Sequence, residues 1–416
     1  MTGTANPALR RGQGLNLALA TWTFAINFWA WNLIGPLASG YSRSLDLSSF
    51  QTSMLVAIPV LVGSLGRIPV GALTDRYGGR VMFAVVSFLS IIPVVFVAFV
   101  GNSYGLMLAG GFVLGIAGTA FAVGVPFCNA WYEKSRRGFA TGVFGAGMGG
   151  TALSAFFTPR LVGWIGRTPT FLLVAAALAV TGVVVLLVAR DSPEWRPSTE
   201  PVTPRLVAAL KIRTTWQTSL LYALAFGGFV AFSTYLPTYL KNVYSFDAVD
   251  AGMRTAGFSL AAVVGRPLGG ILSDRVGPRL VLMGSFAGAA VMAVVVALEP
   301  PPELAAGASF VLLAFALGLG TGGVFALIGQ RVEASKVGSV TGLVGAAGGL
   351  GGYFPPLLMG GIYDSTGSYF IGLILLACCA VGALLFTAAA FRDRGTGTPV
   401  SDRGTPPRAT TPGDPA

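Results

Sequence analysis

The chain has 416 residues, of which 54% are hydrophobic and only 10% charged, with a mean hydropathy of +0.73. That composition excludes a soluble globular domain and points to an all-α membrane protein. The net charge of +11 would suit a nucleic-acid binder, but the placement of the charges argues against nucleic acid and for membrane topology. Histidine is absent, which removes the usual zinc ligand, general base and proton relay together. Cys128, Cys378 and Cys379 have no metal-ligand spacing and read as core packing. Neither a metal nor a cofactor is implied, and no nucleophile and base pair marks an enzyme.

A membrane span needs about 20 mostly apolar residues. Such runs recur at 16–41, 52–73, 80–101, 104–130, 138–161, 169–189, 216–240, 251–273, 279–298, 306–330, 337–360 and 368–391, predicting twelve helices. The first run follows MTGTANPALRRGQG without a small-residue cleavage site and reads as a retained helix. Between the sixth and seventh runs, Arg190 to Arg213 is polar and holds Pro193, Pro197, Pro201 and Pro204, as a linker would. The tail after Phe391, rich in Thr, Pro, Gly and Arg, predicts disorder. The expected organisation is a six-helix bundle over 1–190, a linker at 191–213, a second bundle over 214–392 and a tail at 393–416. With both termini cytoplasmic, 20 of the 27 Lys and Arg fall on the inner side, among them the Lys134, Arg136 and Arg137 cluster. Arginine far outnumbers lysine, as in GC-rich bacterial genomes, so the expected location is a bacterial cytoplasmic membrane.

Two charges sit deep in the apolar runs. Arg67 and Arg266 lie in two copies of one motif, GRIPVGALTDRYGGR at 66–80 and GRPLGGILSDRVGPR at 265–279, which match at 8 of 15 positions. An offset of about 200 relates both these copies and TGVFGAGMGG at 141–150 with TGLVGAAGGL at 341–350, so the chain is an internal repeat. Each arginine precedes its motif aspartate by eight residues, which at 1.5 Å per residue puts it roughly 12 Å inside the helix end. An arginine there costs several kcal/mol and cannot escape by deprotonating. No carboxylate lies in the apolar runs to pair with it, so the natural partner is a small anion. A guanidinium fork fits planar oxyanions two oxygens at a time.

Other groups reach the same depth. Tyr222 and Phe226 share one face of the seventh helix, and Phe121 approaches from the fourth. The fifth and eleventh helices are dense in glycine, with Gly149 in one and Gly345 and Gly349 in the other offering bare backbone to a small solute. At the helix ends, Asp75, Arg76, Arg80, Asp274, Arg275 and Arg279 read as gate and topology residues, with the carboxylates placed to cap neighbouring helices.

Six plus six helices, a long central loop and a doubled G-x-L-[ST]-D-R-x-G-x-R element resemble the major facilitator superfamily. The paired arginines, the LLYALAFGGFVAFS run and TGLVGAAGGLGGYFPP narrow this to a resemblance to the NarK-type nitrate/nitrite porters. The resemblance implies a fold of two six-helix bundles, usually monomeric, with alternating access. It implies that Arg67 and Arg266 clamp nitrate or nitrite, that Tyr222 hydrogen-bonds it, and that Phe226 and Phe121 flank it. One departure stands out: where the family has G-x-G-N-x-G, this chain reads Gly147-Met148-Gly149-Gly150-Thr151-Ala152, leaving Thr151 or Ser154 to replace the asparagine's hydrogen bond. The expected activity is nitrate/nitrite exchange. Proton-coupled nitrate symport, another small anion such as cyanate, formate or a monocarboxylate, and a transport-dead anion sensor are the alternatives.

Overall fold

The structure is a computed structural model that describes residues 7–133, 136–197, 201–302, 305–332 and 336–391. Lys134 and the tail expected to be disordered lie outside the described residues. Among them, ten helices are long and apolar enough to cross a membrane: α1 (Gly12–Ser44), α2 (Ser49–Tyr77), α3 (Gly79–Phe99), α4 (Tyr104–Trp131), α6 (Arg167–Val188), α7 (Arg213–Tyr244), α8 (Ala248–Val276), α9 (Pro278–Ala297), α10 (Ala306–Arg331) and α12 (Phe370–Ala390). The remaining two spans, expected as single helices, are each built in pieces. Span α5 runs Arg137–Gly145, a 3₁₀ turn Ala146–Gly149, then Gly150–Ile165; span α11 runs Val337–Gly351 and Phe354–Thr366. Their glycine density is the reason, since glycine weakens a helix interior and lets the chain change helical type.

Packing follows the sequence repeat. In the first half α2 packs on α4, α3 on α6 and α1 on α5; in the second, α8 packs on α10, α9 on α12 and α7 on α11. The most extensive contacts between the halves are α2 with α11 and α5 with α8, and the two-fold relation exchanges one for the other. Because the arginines sit on α2 and α8, each faces the glycine-rich span of the opposite half. Large apolar side chains such as Leu187, Trp164 and Ile92 are exposed on the outside, as a hydrocarbon surround requires. Cys378 and Cys379 are also exposed there, so only Cys128 is buried in the core. Two adjacent residues on a lipid-facing helix cannot both turn inward.

The motif ends show why its glycine is needed. Gly78 and Gly277 terminate α2 and α8 with φ of 85° and 89°, a conformation that strains any residue with a Cβ. These turns bring Arg80 and Arg279 back onto the ends of neighbouring helices. Arg80 donates to the Leu186 carbonyl on α6, and Arg279 Nη2 donates to the Ala388 carbonyl on α12 at 2.9 Å.

Candidate functional site

Arg67 and Arg266 are 2% and 3% exposed at the centre of the molecule. A glycine seam sets each in place. On the second half's side, bare backbones at Gly265, Gly269, Gly318 and Gly322 let α8 and α10 nearly touch, which brings Phe325 of α10 beside Arg266. On the first half's side, Gly63, Gly115 and Gly118 do the same for α2 and α4. The Arg67 Nε donates to the Gly118 carbonyl at 3.4 Å, and its Nη1 crosses to α11 to donate to the Gly345 carbonyl at 2.6 Å.

Aromatic rings enclose the two cations. The Arg67 Cζ lies 5.0 Å from the Phe121 ring centre and 5.3 Å from that of Phe226. The Arg266 Cζ lies 5.5 Å from Phe121 and 5.4 Å from Phe325, so one ring, Phe121, faces both guanidinium groups. Tyr222 stacks on Phe226 at 5.0 Å with ring planes 1° apart and meets Phe325 edge-on at 5.0 Å. Gly348 makes room for it, because a Cβ there would stand 2.2 Å from the Cδ1 edge of the Tyr222 ring. The Tyr222 hydroxyl lies in the field of both arginines.

Three polar groups in this enclosure make no hydrogen bond of normal geometry to the protein: Arg67 Nη2, Arg266 Nη2 and the Tyr222 hydroxyl, which has only a loose contact with the Arg266 guanidinium. Leaving a buried donor unpaired costs about 1–3 kcal/mol, more for a charged one. Two like charges wrapped in aromatic faces gain some cation–π stabilisation, but they share the Phe121 ring and no ring supplies a counter-charge. The arrangement is therefore built to receive an anion with several hydrogen-bond acceptors.

The structure thus brings together Arg67, Arg266, Tyr222, Phe226, Phe121 and Gly345. It adds Phe325, which the sequence reading missed although the depth arithmetic would have found it: six residues before Arg331 is roughly 9 Å from the helix end. The other two glycines lie elsewhere. Gly149 faces Val263 on α8, and Gly349 abuts Ser64 on α2. The cause for Gly149 is the 3₁₀ turn, whose three-residue repeat puts Gly145 and Met148, not Gly149, in line toward Arg266. Thr151 and Ser154 do not face the arginines either; their hydroxyls donate to the carbonyls of Met148 and Asn32. Position 150 has no room for an asparagine, since even a Cβ would collide with the Ala25 carbonyl of α1.

A cavity of about 930 Å³ is lined by linker residues and by Arg67, Phe121 and Gly345. The linker helix Val202–Leu210 lines its mouth, where Arg205 pairs with Asp75 at 3.7 Å. The expected capping by Asp75 is instead performed by Asp191, which accepts from the Arg80 backbone N–H at 3.1 Å. Arg76 is exposed over the Tyr77 ring, and Asp274 and Arg275 are exposed in the last turn of α8. On the opposite face the halves are joined. Asp364 at the end of α11 accepts from the backbone N–H groups of Ser49 and Phe50, at 2.8 and 2.7 Å, and so caps α2.

A family model described as Major Facilitator Superfamily matches residues 20–256 and 244–413. The chain belongs to that superfamily. Within it, the chain is 58% identical to a probable nitrate/nitrite transporter, NarK2, of Mycobacterium tuberculosis, over 92% of this chain and 98% of that protein. It is 36% identical to a nitrite extrusion protein of Bacillus subtilis, over 90% and 93%. These relatives place it in the NarK-type family of the superfamily. Among solved structures it is similar to a bacterial homologue of the human lysosomal transporter Spinster in an inward-facing, occupied conformation, with a TM-score of 0.69, 19% identity and coverage of 93% and 97%, which supports the fold. The chain is a membrane transporter and not an enzyme.

Proposed function

We propose that this protein carries nitrate and nitrite across a bacterial cytoplasmic membrane by alternating access, exchanging one for the other. The observation that carries the reading is the convergence of Arg67 Nη2, Arg266 Nη2 and the Tyr222 hydroxyl, each without a hydrogen bond of normal geometry to the protein, in one aromatic enclosure. A planar oxyanion accepts from all three. The relatives' names supply the anion class.

The positive-inside distribution puts the linker face in the cytoplasm. In this orientation the cavity is the inward path, with Arg67 and Phe121 at its inner end, while the α2 and α11 crossing closes the outward path. Each arginine reaches across to the other half, so reorientation about the α2–α11 and α5–α8 crossings remakes the site's contacts. Enclosing two unbalanced cations in a low-dielectric space is costly, and a bound monovalent anion halves their net charge. The loaded carrier therefore reorients faster than the unloaded one, which is the signature of an exchanger. The apolar middles of the spans hold no acidic residue or histidine to move a proton.

The test is uptake of labelled nitrate into proteoliposomes preloaded with nitrite, with nitrate or with neither, at matched and imposed pH gradients. Internal anion should stimulate uptake severalfold. Strong proton-driven uptake without internal anion would replace exchange by symport, and uptake of formate or cyanate but not nitrate would replace the substrate.

A further inference from the structure

We propose that Met148 is a weak acceptor that competes with the anion for Arg266, and that its thioether sets how tightly the site holds its anion. The inference rests on the anion-site reading above. The two arginines are held unequally. Arg67 is anchored by two carbonyl oxygens, whereas Arg266 Nη1 donates to the Met148 sulfur at 3.7 Å and Nη2 has no partner. Sulfur is a poor acceptor but a polarisable one. It steadies the guanidinium without saturating its donors.

The backbone explains why residue 148 meets Arg266. In the 3₁₀ turn Ala146–Gly149, residues three apart lie in line. Gly147 and Gly150, three apart, press on α1, where side chains would strike Phe24 and the Ala25 carbonyl. Gly145 and Met148, also three apart, both face Arg266, and a Cβ at Gly145 would stand 2.8 Å from its Nε. The Met148 carbonyl accepts from Thr151 and the side chain is fully buried, so its direction is fixed. In the repeat, Met148 corresponds to Gly348, whose bare face admits the Tyr222 ring. One half thus devotes this position to a sulfur against the cation, and the other devotes it to space for the hydroxyl donor.

The thioether competes with the anion for Nη1, but weakly. Removing the sulfur should therefore tighten binding, and a stronger acceptor in its place should loosen it. The experiment measures equilibrium dissociation constants and transport kinetics for wild type, Met148→Leu and Met148→Gln, with nitrate, nitrite, formate and cyanate as probes. Met148→Leu keeps the volume and should bind about threefold more tightly, with a lower KM and a slower maximal rate, while the Met148→Gln amide oxygen should weaken binding roughly tenfold or more. A packing role moves both variants the same way. A Leu variant that binds as weakly as wild type or more weakly overturns the inference, and this arm decides alone if the Gln variant does not fold. The wild-type panel tests the substrate reading separately: binding of formate but not nitrate changes the substrate and leaves the Leu, Met, Gln order to be judged on formate. Binding of none of the four overturns both.

Discussion

Replacing Tyr222 by phenylalanine should move stability and affinity in opposite directions. The hydroxyl is wholly buried and makes no hydrogen bond of normal geometry to the protein, so the anion-free protein bears most of its desolvation cost. An unpaired buried hydroxyl costs about 1–3 kcal/mol, and deleting it removes that cost while the ring keeps its stack on Phe226 and its edge contact with Phe325. With anion bound, the same hydroxyl donates to a charged acceptor, a bond worth about 1.5–3 kcal/mol, or roughly 10- to 150-fold in affinity. Tyr222→Phe should accordingly raise the thermal midpoint in anion-free buffer and weaken nitrate and nitrite binding by at least about tenfold. Purified protein in detergent suffices, with thermal scans at increasing nitrate concentration and direct titration calorimetry. Unchanged affinity would reduce Tyr222 to a packing residue. A lower anion-free midpoint would show that the hydroxyl is already satisfied within the protein, and the reasoning from its unpaired state would fail.

Arg67→Lys should abolish most transport at near-normal expression, because an ammonium's donors radiate from one nitrogen and cannot span the Gly118 carbonyl, the Gly345 carbonyl and an anion as Nε, Nη1 and Nη2 do; near wild-type rates in proteoliposomes would refute the fork. Gly348→Ala should raise KM sharply, since the new methyl displaces the Tyr222 ring, and combining it with Tyr222→Ala should show strong non-additivity in binding. At Asp364, partial burial would raise the carboxyl pKa, but the backbone N–H groups of Phe50 and Ser49 outweigh it and hold the group below the usual carboxylate range. Its stabilisation of the α2–α11 closure is therefore complete at neutral pH and is lost only as pH falls through that depressed value. Asp364→Asn should mimic the protonated form at neutral pH and shift spin-label distances across that face toward the open state; distances that stay at wild-type values would exclude a latch there.

Most of the architecture was legible in the chain because membrane insertion is governed by quantities that add along a sequence. Apolar runs of span length, the cost of a buried charge and the side preference of Lys and Arg need no knowledge of neighbours, so the twelve spans, the repeat and the depth of Arg67 and Arg266 followed from local reading. Depth along a helix was equally legible, since rise per residue is constant, and it placed Tyr222, Phe226 and Phe121 at one level. Direction around a helix was not. A few residues of 3₁₀ helix in α5 changed the angular step and turned Met148 toward Arg266 and Gly149 away from it. Glycine seams between α8 and α10 decided that Phe325 would join the site, and the crossing of α2 with α11 decided that Arg67 would donate to Gly345. Whether a buried donor has a partner depends on atoms far away in sequence. The arginines' need for a counter-charge was therefore readable from residue type alone, whereas the unpaired Nη2 atoms and hydroxyl that define the anion site belong to the packing of four helices around them.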